Sequence, residues 1–144
     1  MTGTDAALLA LVAASALHLG FQLTVTMVVY PALARVDCAH WAEAHSRHGR
    51  AITPLVVLNY GALVLSGTWA LAVRWPDAWV VVSLVGAVVS MLTTALVAAP
   101  AHGRLGDGLD PVLMERLLRA DRLRTTGAAW ALTGALVAAV EAAA

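Results

Sequence analysis

The chain is short of charge, of cysteine and of every familiar catalytic signature. Charged residues fill 12% of its 144 positions, where a soluble domain carries about 25%. Lysine is absent, so all nine basic residues are Arg. Cys38 stands alone, which excludes an internal disulfide. Net charge is zero, which removes the electrostatic reason for a nucleic-acid partner. There is no His-Glu-x-x-His, phosphate loop, dinucleotide fingerprint or nucleophile elbow. Cys-x-x-Cys-His is missing too, and His18 is the only histidine expected inside the membrane, so a haem held by paired histidines is not expected. A Ser–His–Asp triad would need an acid inside an apolar segment, and none is expected there. The start of the chain lacks the positive stretch of a cleavable signal, so the first apolar segment is expected to stay as a helix.

What the chain has in excess is apolar side chains, at 60%. They come in four runs, at about 6–30, 51–73, 78–99 and 125–140. Each is about the length that spans a bilayer. The predicted fold is all-α, a single transmembrane domain over 1–144 built as an up-down four-helix bundle. Pro31 is expected to end the first helix and Pro100 the third. Pro54 is expected in the first turn of the second, where a missing N–H costs little.

The loops predict orientation. Residues 31–50 carry Arg35, Arg47 and Arg50, and residues 100–124 carry Arg104, Arg116, Arg119, Arg122 and Arg124. The middle connection has only Arg74, and the termini have none. The positive-inside rule therefore puts the first and third loops in the cytoplasm of the cell (inner) membrane, with both termini outside. Trp69, Trp75 and Trp79 fit an outer aromatic belt, and Tyr30 and Trp41 an inner one. Both cytoplasmic loops read as amphipathic helices. In 110–124, Asp110 caps, Pro111 takes the first helical position, and the segment is expected to lie on the membrane surface. Small residues recur at four-residue spacing, as in Ala62/Ser66/Ala70 and Gly86/Ser90, and predict close helix contacts.

Polar groups inside lipid are costly and need a reason. Ser15, His18, Gln22 and Thr26 share one face of the first segment. His18 lies roughly 18 Å from the inner end, and Gln22 about 12 Å, at 1.5 Å per residue. Asn59 and Tyr60 on the second segment, Thr94 on the third and Trp130 on the fourth lie in the same half. They either hold the bundle together by interhelical hydrogen bonds or line a pocket opening toward the cytoplasm. His45 and His48 share a helix face, and with His102 they form a candidate metal site.

Pro100-Ala101-His102 after the third helix, then Asp121-Arg122-Leu123-Arg124-Thr125 entering the fourth, resemble the anthrone oxygenase family of small four-helix membrane proteins. Members often show Pro with Asn or His after the third helix, then Asn-x-x-Arg-Thr. Arg124-Thr125 match the end of that element, and Asp121 stands where Asn is usual. The resemblance implies oxidation of a lipophilic aromatic substrate. His18 or His102 would act as base, and Arg124, Gln22 or Asn59 would stabilise the enolate. Thr26, Tyr60, Thr94 and Trp130 would surround the substrate. The expected cofactor is a copper or iron ion, or none. Expected partners are bilayer lipid, a lipophilic small molecule and further copies of the chain as a homo-oligomer. The alternative is a non-catalytic carrier or an accessory subunit of a membrane complex.

Overall fold

The computed structural model describes residues 3–144. Four helices carry the fold, α1 (Gly3–Leu33), α2 (Trp41–Arg74), α3 (Ala78–Leu105) and α4 (Pro111–Ala143), and each is long and apolar enough to cross a membrane. There are no strands among the described residues. The chain runs up and down, so the connection after α1 and the one after α3 share one end with the Arg-rich sequence. The Arg74–Asp77 turn shares the other end with the termini. In the ring of helices, α1 packs on α2 and α4, and α3 packs on α4 and more lightly on α2.

The closest approach is between α3 and α4, and glycine makes it possible. A Cβ on Gly86 would stand 2.5 Å from the Gly127 carbonyl oxygen and 2.6 Å from the Ala131 amide nitrogen. A Cβ on Gly134 would stand 2.6 Å from both the Ser83 nitrogen and the Trp79 oxygen. In lipid, where apolar burial gives helices little reason to associate, such backbone contact supplies the packing energy. Around it, Ala7, Leu8, Leu11, Ala70, Val80, Ala135 and Ala138 form a tightly buried cluster at the termini end.

The helices overrun the expected boundaries. Pro31 and Pro100 do not end α1 and α3. Each is preceded by a π turn, Val25–Val29 in α1 and Thr94–Ala98 in α3, and the chain stays helical beyond it. A proline ring collides with the carbonyl four residues back in a regular α-helix. The wider π turn relieves that collision, so the helix passes the proline. Pro54 lies well inside α2 rather than in its first turn, because the helix already starts at Trp41.

The segment expected on the membrane surface is instead the first part of α4, which runs unbroken from Pro111. Its cap is as expected, with the Asp110 carboxylate accepting from the Val112 and Leu113 amides at 2.8 and 3.3 Å. Nothing between 111 and 143 breaks the helix, because Gly127 and Gly134 are tolerated where they make contact. Tyr30 and Trp41 are not interfacial anchors. Both are buried in a second cluster with Leu33, Ala101, Leu105 and Leu117 at the Arg-rich end. Trp69 and Trp75 are exposed at the other end, as a belt requires.

Candidate functional site

Between these two clusters, in the half of the bundle nearer the Arg-rich connections, lies a cavity of about 330 Å³. Its size falls at the lower end of the roughly 300–1,000 Å³ range of small-molecule sites. Phe21, Val25, Ile52, Val56 and Ala98 give it apolar walls. Tyr30, His45, His48, Thr94, His102 and Arg124 give it polar corners. The space lies where α2, packed well on α1, sits only lightly against α3.

Arg124 is the charged centre. It is 6% exposed, and its Nη2 donates to the Tyr30 hydroxyl at 2.9 Å and to Asp121 Oδ1 at 2.7 Å. Asp121 is 1% exposed, and its other oxygen accepts from the Thr26 hydroxyl at 2.6 Å. Thr125 lies 3.3 Å from Thr26 and extends the chain of hydroxyls. The Arg124 carbonyl accepts from Ser90 Oγ at 2.6 Å, which ties α4 to α3 at the same level. The guanidinium Nε has no protein partner, although the residue lines the cavity. A buried ion pair is tolerated when further hydrogen bonds satisfy both groups, and here Thr26 and Tyr30 supply them.

The histidines converge beside this pair. His45 Nε2 and His102 Nδ1 are 3.2 Å apart, so one of them carries the shared proton. The His48 ring centroid is 5.9 Å from that of His102. Tyr30 stacks on His102, with centroids 6.2 Å apart, and Trp41 stacks on His45 at 5.4 Å. The Trp41 indole donates to the Leu105 carbonyl at 2.7 Å, which locks the start of α2 against the end of α3. The structure thus brings together the three histidines proposed as metal ligands. Their rings are tilted against one another, and among the described residues no group of three His, Cys, Asp or Glu is disposed to hold a metal ion.

The deeper polar residues form a separate layer. His18 is fully buried and meets the Tyr60 ring edge-on, with centroids 5.4 Å apart. Asn59 is its polar neighbour on α2, yet neither ring nitrogen of His18, nor Asn59 Oδ1, completes a hydrogen bond. Gln22 Nε2 is likewise unpartnered. This layer reaches the cavity through the Tyr60 hydroxyl, 2.5 Å from the Thr94 hydroxyl, and through the Gln22 carbonyl, which accepts from Thr26 at 2.9 Å. His18, Gln22 and Asn59 therefore do not line the cavity, whereas His102 and Arg124 do. Thr26 acts behind Arg124 rather than in the cavity. Trp130 is 56% exposed on the outer face of α4, away from it.

Three residues of this arrangement are placed differently by the structure than by the sequence reading. Asp121 is an acid inside α4, where none was expected, because residues 110–124 read as a separate amphipathic helix on the membrane surface. Tyr30 and Trp41 read as interfacial belt residues. The available signal was the stripe Leu117, Ala120, Asp121, Arg124, Gly127, Ala128, Ala131 and Gly134. It keeps one helical phase and is buried throughout.

Fold and site together define an integral membrane four-helix bundle with a cavity walled by apolar side chains and floored by histidines and a paired arginine. No family model matches the chain, and no curated protein or solved structure matches it.

Proposed function

We propose that the protein is a membrane-embedded oxygenase, similar to the anthrone oxygenases, acting on a lipophilic aromatic compound held in this cavity. The observation that carries the reading is the meeting of His102 and Arg124 in an otherwise apolar cavity of about 330 Å³. A flat apolar ketone with an acidic C–H partitions into such a space. His102, stacked on Tyr30 and sharing a proton with His45, is the base that takes the C–H proton. The Arg124 guanidinium, which lines the cavity, donates to the enolate oxygen that results. Asp121 and Tyr30 hold the guanidinium in place before the charge develops, so no reorganisation is needed at that moment.

The carbanion form then meets dioxygen. The methylene becomes a carbonyl, one oxygen atom enters the product, and the other leaves as water with the two hydrogens. No further reductant is required. The Arg-rich connections, eight Arg against one at the other end by sequence count, set the orientation by the positive-inside rule. The cavity then lies in the cytoplasmic half of the inner membrane.

Purified protein in detergent should consume one dioxygen per anthraquinone formed when anthrone is added. His102→Ala should lower turnover by about 10²–10⁴-fold, the range for losing a general base. His18→Ala should leave it nearly unchanged, because His18 lies outside the cavity. A wild-type protein that neither binds nor oxidises anthrone sinks the reading and favours a carrier or an accessory subunit.

A further inference from the structure

We infer that the cavity is loaded sideways, from the bilayer, through the seam between α2 and α3, and that its aqueous end is shut. The inference rests on the proposed function only in taking the cavity as a ligand site.

The Arg-rich end of the bundle is sealed by apolar side chains. Leu33, Trp41, Leu105 and Leu117 are buried there, and Leu109 and Leu113 pack against them. The Trp41–Leu105 hydrogen bond at 2.7 Å pins the seal across α2 and α3. A polar ligand arriving from water would have to part this cluster.

The flank is different. Among the cavity-lining residues, Thr53, Val57 and Ala99 are exposed, and all three belong to α2 or α3. The surface around them is apolar: Val57 is 66% exposed and Leu96, on α3, is 68% exposed. Side chains of that kind are exposed in number only where lipid is the solvent. The light packing of α2 on α3 leaves the slit between them. The buried Arg124 lines the space behind it. The occupant that suits this arrangement is a membrane-dissolved molecule with an apolar body and one oxygen. The body passes Val57 and the oxygen ends on Arg124.

The test needs no ligand and no turnover. In full-length protein carrying Cys38→Ser, reconstituted in vesicles, Ile52→Cys places a thiol on the cavity wall. Two reagents are compared, the lipid-soluble N-(1-pyrenyl)maleimide and the charged, membrane-impermeant methanethiosulfonate ethylsulfonate, with the latter present on both sides. Each labelling rate is referred to the same reagent's rate at the exposed Cys38 of the otherwise unchanged chain. The lipid-soluble reagent should then be favoured at position 52 at least tenfold. Adding Val57→Phe should slow it severalfold, while adding Gly103→Phe, in open space at the Arg-rich end, should not. Equal relative rates for the two reagents, or slowing by Gly103→Phe and not by Val57→Phe, would overturn the lateral route. Failure of anthrone turnover would leave this result standing, so the two ideas fail separately.

Discussion

At the end that carries the termini, α3 and α4 meet backbone to backbone across Gly86, Gly127 and Gly134, with alanines filling the remaining gaps. At the Arg-rich end, long side chains make the contacts between helices: Arg124 and Asp121 of α4 reach Tyr30 and Thr26 of α1, and Trp41 of α2 reaches Leu105 of α3. Small residues close the space between helices completely. Long polar side chains span it, and where they do not fill it a cavity remains. The difference shows how one bundle can be rigid at one end and hold a ligand-sized space at the other.

The comparison can be broken first at the glycines. Gly134→Leu must push a side chain into the Ser83 and Trp79 backbone. Its cost should reach or exceed the top of the roughly 1–3 kcal/mol range for overpacking. Loss of a monodisperse peak in detergent is the expected readout, and a wild-type melting temperature would refute close packing there. Second is the ion pair. Asp121→Ala leaves Arg124 buried and unmatched, and should cost about 3–5 kcal/mol. Asp121→Leu combined with Arg124→Met should be less damaging than Asp121→Ala alone, measured by thermal unfolding in the same detergent. A double variant no better than the single would mean that the pair is not coupled.

Third, Trp41→Phe keeps most of the bulk in the seal and removes its hydrogen bond, for about 0.5–1.5 kcal/mol. If that bond pins the seal, the charged thiol reagent should also gain access to Ile52→Cys.

The smallest effect belongs to the Arg74–Asp77 turn. Asp77 caps α3, accepting from the Trp79 and Val80 amides at 2.9 and 3.1 Å and from Arg74 at 2.7 Å. Burial raises its carboxyl, but the Val80 amide, the Arg74 guanidinium and the Trp79 amide outweigh it and hold the group below its ordinary value of 3.8. Because the folded value is the lower one, the cap stabilises the protein above the unfolded value and is lost as pH falls through the folded value. Asp77→Ala should cost about 1 kcal/mol at neutral pH, and its difference from wild type should shrink below about pH 4. A difference constant down to pH 2 would contradict the assignment.

Composition and run length were enough to read four spanning helices and the up-down order, because lipid demands about twenty apolar residues per crossing. The polar face of α1 was legible too. Ser15, His18 and Gln22 are all buried as their spacing requires. What was not legible came from treating charge as a mark of the membrane surface. Asp121 and Arg124 neutralise each other inside α4, and a hydropathy window sees two charges where the structure has one pair. The prolines misled for a related reason. Pro31 and Pro100 stop a regular helix but not one that widens first, and the widening leaves no residue-type signature in Val25–Val29 or Thr94–Ala98. Which histidines would share a cavity depended on how lightly α2 packs on α3, a tertiary property that no local pattern encodes.

The two π turns also make the site sensitive to chain length. Every residue added to a helix rotates the remainder of that helix by about 100°. The turn at Val25–Val29 stands between Thr24 and Tyr30, and the turn at Thr94–Ala98 between Ser90 and His102. Removing a single residue from either would swing Tyr30 or His102 to another face while leaving hydropathy almost untouched. The stacked pair of Tyr30 and His102 therefore behaves like the hands of two dials set to the same angle. Substitutions in these turns should be borne easily, and one-residue deletions hardly at all.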